Sequence, residues 1–279
     1  MKKIKIEKNS VQETLVLPLF GKAWAIQKYP DIFHDHDAGR IMEMVDYDFS
    51  AMEQAATGTK GKIAALAAAT RQAALVWEVK DYLKNHPKAA VVNLGCGLDT
   101  AGHQADNGLC RFVNVDFPNV IDLRGKLIPE TERERNVASD LNDFSWFDAI
   151  DFHPEEGAVF IASGVFLYFK KDDVKKLFCA MAKRFPGGRL AFDGQNQRGK
   201  DLDLKALKAS GIDISANFAL DHPEEELQSW SDRFARVRWK KMSTGYIKPG
   251  KRFGMAYCLM APIADKIGMS QLDVIDFKK

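Results

Sequence analysis

The hydrophobic positions of the chain change their period near residue 88. Before that point they recur at helical spacing, as in Thr70–Lys84, and Ala64–Ala69 consists mostly of the strongest helix former. Pro87 should end this helix, because proline breaks the hydrogen-bond ladder and disfavours a helical residue before it. We therefore predict that residues 1–88 form an N-terminal helical cap.

From residue 89 onward, short β-rich runs alternate with helical stretches, including an amphipathic helix over Asp172–Arg184. This alternation indicates an α/β fold, with a parallel sheet and helices on both faces. We take residues 89–279 as one core domain, interrupted by a polar insertion at about 195–226. The predicted strands are Ala89–Leu94, Arg111–Val115, Val137–Ser139, Ala158–Ala162, Arg189–Phe192, Phe234–Trp239 and Leu272–Phe277.

Composition narrows the classes of partner. The chain has 279 residues, 46% of them hydrophobic, and 40 Lys and Arg against 38 Asp and Glu. A net charge of +2 with no basic run argues against a nucleic-acid partner. No stretch is apolar for long enough to cross a membrane, so no membrane partner is expected. The four cysteines are scattered without a CxxC pair, which is typical of a reducing cytoplasm.

The most informative motif is a glycine turn after the first predicted strand of the core. Gly95 and Gly97 would let the backbone approach a ligand lying across the strand's carboxyl end. Asp116 ends the second predicted strand, where a carboxylate can accept both ribose hydroxyls of a nucleoside. Each feature alone also has a structural interpretation, a tight turn or a helix cap. Together they predict a cofactor that contains a nucleoside.

The residues after the turn distinguish between two such cofactors. A dinucleotide fingerprint would place a third glycine at position 100, where this chain has Thr100. Asp99 would also face a pyrophosphate with like charge. S-adenosylmethionine, which has no phosphate, fits better, and a nicotinamide oxidoreductase is kept as the weaker alternative.

These motifs resemble the leucine carboxyl methyltransferase family of class I methyltransferases, in particular its bacterial branch of polyketide O-methyltransferases. The resemblance runs from about Val11 to the C-terminus. The matching segments are Glu13–Lys22, Val92–Thr100, Val115–Pro118, Ala138–Asp143, Val165–Phe169 and Pro186–Leu190. It implies a Rossmann-like sheet of seven strands, the last antiparallel, and an S-adenosylmethionine-dependent O-methyltransferase that releases S-adenosylhomocysteine.

The resemblance also implies roles for individual residues. Arg71 would pair with the carboxylate of the cofactor, and Asp116 would hold its ribose. Asp140 and Leu141 would contact the adenine. Relatives usually carry Glu where this chain has Ser163, which leaves any role that needs an acid at that position open. The full set expected to bind the cofactor is Arg71, Gly95, Cys96, Gly97, Asp116, Phe117, Asp140, Leu141, Ser163 and Gly164.

The acceptor of the methyl group is expected to be a small molecule, bound between the cap, the insertion and the C-terminal helix. A carboxylate acceptor is already ionised at neutral pH and needs no general base, and no base is evident in the sequence. The residues expected to line its pocket are Phe20, Trp24, Tyr168, Arg198, Tyr246 and Arg252. The histidines of the run His34–Asp37 lack the spacing of a metal site, so we interpret this run as a capping loop and expect no metal.

Three questions stay open at the level of sequence. A catalytically silent protein that only binds the cofactor is the alternative from a different class, and Ser163 keeps it open. A protein substrate is a second alternative, because eukaryotic members of the family methylate a C-terminal leucine of a phosphatase. The oligomeric state is unknown.

Overall fold

The computed structural model of the chain describes residues 3–7, 10–209, 217–248 and 250–279. Its strands are β1 (Ile4–Lys5), β2 (Val45–Asp46), β3 (Ala90–Leu94), β4 (Arg111–Asp116), β5 (Glu134–Ala138), β6 (Ala158–Ala162), β7 (Arg189–Gly194), β8 (Phe234–Lys241) and β9 (Gln271–Phe277). Its helices are α1 (Val11–Thr14), α2 (Val16–Lys28), α3 (His36–Met44), α4 (Ser50–Ala55), α5 (Thr59–Leu83), α6 (Ala101–Ala105), α7 (Pro118–Leu127), α8 (Lys171–Arg184), α9 (Gln197–Ala209), α10 (Pro223–Gln228) and α11 (Met255–Lys266). Short 3-10 helices cover Phe144–Ala149, Phe166–Tyr168 and Lys251–Phe253.

Seven strands form one mixed sheet in the order β5-β4-β3-β6-β7-β9-β8. The five strands β5, β4, β3, β6 and β7 run parallel to one another, whereas β9 runs antiparallel to both β7 and β8. The predicted α/β sheet of seven strands with an antiparallel last strand is therefore confirmed. The first two strands form a separate parallel pair within the cap.

The central strands end level with one another. Leu94, the last residue of β3, pairs with Val115 of β4 on one side and with Ala162 of β6 on the other. Every residue of β3 and β6 is buried, which explains why both read as continuous apolar runs. Because the strands are parallel and in register, the loops that follow them open at the same edge of the sheet.

Each face of the sheet is covered by helices. On one face α8 packs over aromatic side chains, with the rings of Phe178 and Phe192 5.0 Å apart. On the other face α5 lays Leu75 and Val79 against Val91 of β3. Burying side chains of this size stabilises the fold by roughly 1.5–3 kcal/mol each.

The long helix α5 joins the cap to the sheet. Leu66 in its first half packs in a cluster with Ala25 of α2 and Tyr257 of α11, whereas Leu75 in its second half packs on the sheet. A boundary near residue 88 thus follows a helix that contributes to both parts, and the proposed division into domains stays a prediction.

One strand differs from the predicted one because a polar residue is buried in it. The strand expected over Val137–Ser139 begins earlier, because Glu134 is buried in β5 beside Arg124 instead of facing solvent. Helix α5 runs from Thr59 to Leu83 and includes the Ala64–Ala69 run and most of the Thr70–Lys84 stretch. The insertion contains α9 and α10, and its residues 210–216 lie outside the described part of the chain.

Two expectations from composition can be compared with the structure. Within the described ranges, no helix is both long and apolar enough to cross a membrane. All four cysteines are free thiols, in agreement with their scattered spacing.

A histidine connects the cap to the core through two carboxylates. His103 of α6 places Nδ1 2.9 Å from Oδ2 of Asp37 in α3, and Nε2 2.9 Å from Oε2 of Glu134 in β5. The bond to Glu134 is the largest cause that raises the pKa of His103 to about 9; burial opposes it and Asp37 adds to it. The imidazole is therefore a cation at neutral pH and pairs with both acids.

We expect His103→Gln to lower the free energy of unfolding by about 1–2 kcal/mol at pH 6, a value reduced for partial exposure. Because the folded pKa lies above the unfolded one of about 6.5, this contribution is complete below pH ~6.5 and is lost as pH rises through ~9. Urea unfolding of both proteins at pH 6 and pH ~10 measures it. His153→Gln, which removes an exposed imidazole paired with Asp151, is the matched control and should change little. A loss of equal size at both pH values would contradict the prediction.

Candidate active site

The glycine turn lies at the carboxyl edge of the sheet, directly after β3. Gly95 and Gly97 have φ angles of +57° and +47°, a left-handed conformation that favours glycine. A Cβ at Gly95 would lie 2.5 Å from Cγ2 of Val165, and one at Gly97 would lie 2.8 Å from Cδ2 of Leu15. The turn thus packs directly against the loop after β6 and against the cap, so that a side chain at either position would force a shift.

Cys96 occupies the middle of the turn with its side chain in the core. Its N–H donates to the carbonyl of Val115 at 3.1 Å. Burial raises the pKa of the Cys96 thiol to about 12, so it is not a thiolate at neutral pH. Any contact of Cys96 with a cofactor would come from its backbone.

Asp116 lies beside the turn at the end of β4. Its Oδ2 accepts from the N–H of Gly97 at 2.8 Å and its Oδ1 from the N–H of Phe117 at 2.7 Å. Burial raises the pKa of Asp116, while these two hydrogen bonds act in the opposite direction. Each oxygen keeps a further lone pair, so the carboxylate is oriented and can still accept from a hydroxyl. The adjacent Phe117 ring is exposed at the same edge.

The expected adenine contacts follow the neighbouring strand β5. The N–H of Ser139 donates to the carbonyl of Asp116 at 2.9 Å, which joins the two loops. The exposed Asp140 accepts from the N–H of Asn142 at 2.9 Å, and the buried Leu141 accepts at its carbonyl from Nε1 of Trp146. The bond from Ser139 places the start of this loop beside Asp116, and a contact of Asp140 and Leu141 with adenine stays a prediction.

Arg71 reaches the loop after β6 from helix α5. Its Nη1 donates to Oδ2 of Asp193 at 3.0 Å, and its Nε is buried with no hydrogen-bond partner among the described residues. Gly164 has a φ of +69°, and a Cβ there would lie 3.3 Å from Nη1 of Arg71. The half-buried Ser163 precedes it. A buried donor without a partner next to a glycine cradle fits an anionic ligand group such as a carboxylate.

Three charged residues of the site were not assigned from the sequence. Lys22 of the cap is buried and donates to Oδ2 of Asp99 at 3.0 Å, where Gln72 also donates. Arg124 of α7 is fully buried and donates to the carbonyls of Gly97 and Asp99. Asp193, at the end of β7, accepts from Arg71 and from the N–H of Gly164. Lys22 lies within the segment Glu13–Lys22 that resembles the family, so its role could have been predicted from the sequence. No sequence motif includes Arg124 or Asp193, and only the fold shows their contacts.

Asp99 thus stabilises the glycine turn through its hydrogen bonds to Lys22, Gln72 and Ala101. Burial acts to raise the pKa of Asp99, but Lys22 and the N–H of Ala101 outweigh it, and the net shift is downward. The carboxylate stays ionised and holds the cap residue Lys22 over the turn.

Most of the six residues expected around the acceptor have separate partners in the structure. Phe20 is buried against Phe49, Trp24 packs edge-on to Tyr29, and Arg198 is exposed on α9. The Tyr246 hydroxyl donates to Oε1 of the buried Glu78 at 2.7 Å, and Arg252 pairs with Asp31 of the cap. Of this set, Tyr168 alone follows one of the central strand ends, in the 3-10 helix after β6.

The run His34–Asp37 lies at the start of α3: Asp35 is the N-cap residue, in agreement with the capping role expected, whereas His36 and Asp37 are the first two helical residues and not part of a loop. Oδ1 of Asp35 accepts from the N–H of Ala38 at the start of α3, and from the hydroxyl of Thr100 at 2.7 Å. Within the described part of the chain, no group of three or more His, Cys, Asp or Glu side chains is arranged to hold a metal ion.

The seven-stranded sheet with its antiparallel last strand belongs to a fold that solved methyltransferases share. Among solved structures, one described as a methyltransferase from Thermobifida fusca YX aligns with a TM-score of 0.60 at 15% identity, covering 88% of this chain and 97% of that one. The plantazolicin methyltransferase BpumL, solved with S-adenosylhomocysteine and a triazolic desmethylPZN analog, aligns with a TM-score of 0.51 at 13% identity, covering 96% and 100%. At these identities both comparisons bear on the fold alone.

The sequence comparisons are more specific. The family model described as leucine carboxyl methyltransferase matches residues 16–182, more than half of the chain. The tetracenomycin polyketide synthesis O-methyltransferase TcmP of Streptomyces glaucescens is 28% identical over 190 residues, which is 67% of each protein. The chain belongs to the leucine carboxyl methyltransferase family. It is an S-adenosylmethionine-dependent O-methyltransferase, and the nicotinamide and catalytically silent alternatives are not favoured.

We expect Gly95→Ala to weaken binding of S-adenosylhomocysteine at least tenfold and to lower the melting temperature. The strain of a left-handed alanine costs about 1–2 kcal/mol, and the contact with Val165 adds about 1–3 kcal/mol of overpacking. Gly108→Ala is the matched control, because Gly108 also has a positive φ of +81° but has nothing within 4 Å of a Cβ. Calorimetric titration and thermal unfolding measure both effects. Equal behaviour of the two variants would show that the approach of Val165 is unimportant.

Proposed function

We propose that the acceptor is a carboxylate of a small molecule, and that Arg71, Asp116, Asp140 and the glycine turn bind the cofactor. The observation that carries the proposal is the row of strand ends at one edge, where Gly95, Asp116 and Gly164 meet the ends of β3, β4 and β6. The relative TcmP, which is named for tetracenomycin polyketide synthesis, supports a small acceptor over a protein.

The residues at this edge fit the cofactor by charge and by shape. When bound, S-adenosylmethionine supplies an electrophilic methyl group on its sulfonium. Arg71 would bind its carboxylate, and its buried Nε, which has no partner among the described residues, would donate one of the hydrogen bonds. Asp116 would accept from the ribose hydroxyls, and Asp140 from the exocyclic amine of the adenine. Leu141, with Phe117 exposed at the same edge, would contact the adenine ring.

The remaining residues of the site would act through backbone or shape. Gly95, Cys96 and Gly97 let the main chain approach the ligand, and the thiol of Cys96 stays in the core. Ser163 and Gly164 form the loop opposite Arg71. Leu15 of the cap and Val165 lie directly over the two glycines, so the turn has apolar cover. Such cover excludes water and strengthens the electrostatic contacts beneath it.

A carboxylate acceptor fits the acids found at this edge. Asp99 accepts from Lys22, Gln72 and Ala101, and Asp116 accepts from two backbone N–H groups. Asp99 is thus held by three donors, and the remaining lone pairs of Asp116 are assigned to the ribose hydroxyls. An acceptor that is already ionised needs only to be held in line with the methyl group, and such positioning can contribute up to about 7–11 kcal/mol to lowering the barrier.

We keep two of the six residues expected around the acceptor. Tyr168, in the 3-10 helix after β6, and Arg198, on the insertion helix α9, stay in the proposal as residues near the entrance. Phe20 and Trp24 would act as packing of the cap. Tyr246 and Arg252 are left out, because Glu78 already engages the hydroxyl of Tyr246 and Asp31 the guanidinium of Arg252. A cytoplasmic location and the absence of a nucleic-acid partner stay predictions.

We expect Asp116→Asn to weaken binding of S-adenosylhomocysteine about 10–100-fold, because an amide offers one acceptor oxygen where the carboxylate offers two charged ones. Asp122→Asn removes an exposed carboxylate from the following helix α7 and should leave the affinity unchanged. Isothermal titration of the two variants and the parent protein measures this. Unchanged affinity of Asp116→Asn would sink the assignment of the ribose site.

We expect kcat/KM for a carboxylate acceptor to be nearly flat between pH 6 and pH ~9, because the acceptor is ionised throughout. For a phenolic acceptor, with a pKa near ~10, kcat/KM should instead rise about tenfold per pH unit. The assay follows labelled methyl transfer to panels of small carboxylic acids, phenols and peptides ending in leucine. Transfer to phenols alone would overturn the carboxylate assignment, and transfer to peptides alone would overturn the small-molecule one.

A further inference from the structure

Asp193 occupies a position that neither the motifs nor the family resemblance assigned. It lies in β7 one residue before the strand ends, beside the loop that leaves β6. Its Oδ1 accepts from the N–H of Gly164 at 2.7 Å, and its Oδ2 accepts from Nη1 of Arg71 at 3.0 Å. The carboxylate is thus fixed from two sides at the point where the cofactor's amino-acid end is expected.

The pair of Arg71 and Asp193 offers both signs of charge side by side. The methionine end of the cofactor is a zwitterion, whose carboxylate and ammonium are attached to the same carbon. An arginine alone would bind the carboxylate and repel the ammonium. An ion pair of 3.0 Å next to Gly164 matches a ligand group with both charges, and Ser163 in the same loop has only a neutral hydroxyl to offer.

The other acids near this edge are less suited to the ammonium. Asp99 already accepts from Lys22, Gln72 and Ala101. Asp116 lies on the far side of the turn, toward the ribose. Asp273 of β9 is completely buried, and Gln271 donates to it.

Asp193 differs from these acids in two respects. The side chains of Asp193 and Arg71 keep 14% and 25% of their surface exposed, so both can be reached by a ligand. With two donors on two oxygens, Asp193 also keeps further lone pairs for an N–H donor.

We propose that Asp193 binds the α-ammonium group of the cofactor while Arg71 binds its α-carboxylate. This inference rests on the proposed cofactor site. Asp193 has a second effect, because its bond to Arg71 orients the guanidinium so that Nε is held buried beside the loop. The acid that relatives carry at position 163 is then not needed here, since the neighbouring strand supplies a carboxylate.

The test compares two ligands on two proteins by calorimetry. One ligand is S-adenosylhomocysteine, and the other is its analogue in which hydrogen replaces the α-amino group. We expect Asp193→Asn to weaken the binding of S-adenosylhomocysteine about 10–50-fold. The affinity for the deaminated analogue should stay within about twofold of the affinity that the parent protein has for it. Asp173→Asn, which removes a partly exposed carboxylate of α8 that accepts from Lys176, is the matched control and should change neither affinity.

Each other outcome overturns the inference in a recognisable way. An equal loss for both ligands would mean that Asp193 acts only by orienting Arg71. Unchanged affinity for both ligands would mean that Asp193 does not contribute to binding. Because Asp193→Asn could also unfold the protein, the parent protein gives an independent readout. It should bind the deaminated analogue about 10–50-fold more weakly than S-adenosylhomocysteine. Failure of the parent protein to bind S-adenosylhomocysteine would instead refute the proposed cofactor site itself.

Discussion

The in-register pairing of β3 with β4 and β6 is the constraint on which the site depends. Leu94, Val115 and Ala162 lie side by side, so the chain leaves the three strands at one level. Backbone hydrogen bonds of a parallel sheet enforce this register, and burial of β3 and β6 on both faces prevents the strands from slipping. A shift by one residue would move Gly95 away from Val165 and Asp116 away from the N–H of Gly97.

A second layer of order comes from buried charges that tie the cap and α7 to the turn. Lys22 reaches Asp99 from α2, and Arg124 reaches the carbonyls of Gly97 and Asp99 from α7. Buried charges are tolerated only when they are paired: Lys22 is paired with Asp99 at the turn, and Arg124 with the buried Glu134 of β5. The same contacts that satisfy these charges therefore hold the cap over the glycines. Packing of the cap and the shape of the glycine turn therefore depend on the same buried contacts.

The acceptor side of the site shows why residue types along a chain do not locate a pocket. Tyr246 and Arg252 have the chemistry expected of substrate contacts, but Glu78 and Asp31 engage them elsewhere. Glu78 is completely buried and is also paired with Arg189 and Arg238, far away in sequence. Such long-range partners leave no local pattern. For the same reason the start of β5 was predicted too late. Glutamate is usually a surface residue, and Glu134 is buried here only because His103 and Arg124 pair with it.

The sequence by itself determined the features that arise from neighbouring residues: the alternating strands and helices, the glycine turn after a buried strand, and the carboxylate of Asp116 at the next strand end. These depend on local period and on backbone freedom, which the residues carry with them wherever they are placed. Tertiary structure alone decided which charges meet. Asp193 became a partner of Arg71 only because β7 lies next to β6 and α5 crosses above both. Charge pairs across more than a hundred residues are set by packing of the whole sheet, and no spacing in the chain encodes them.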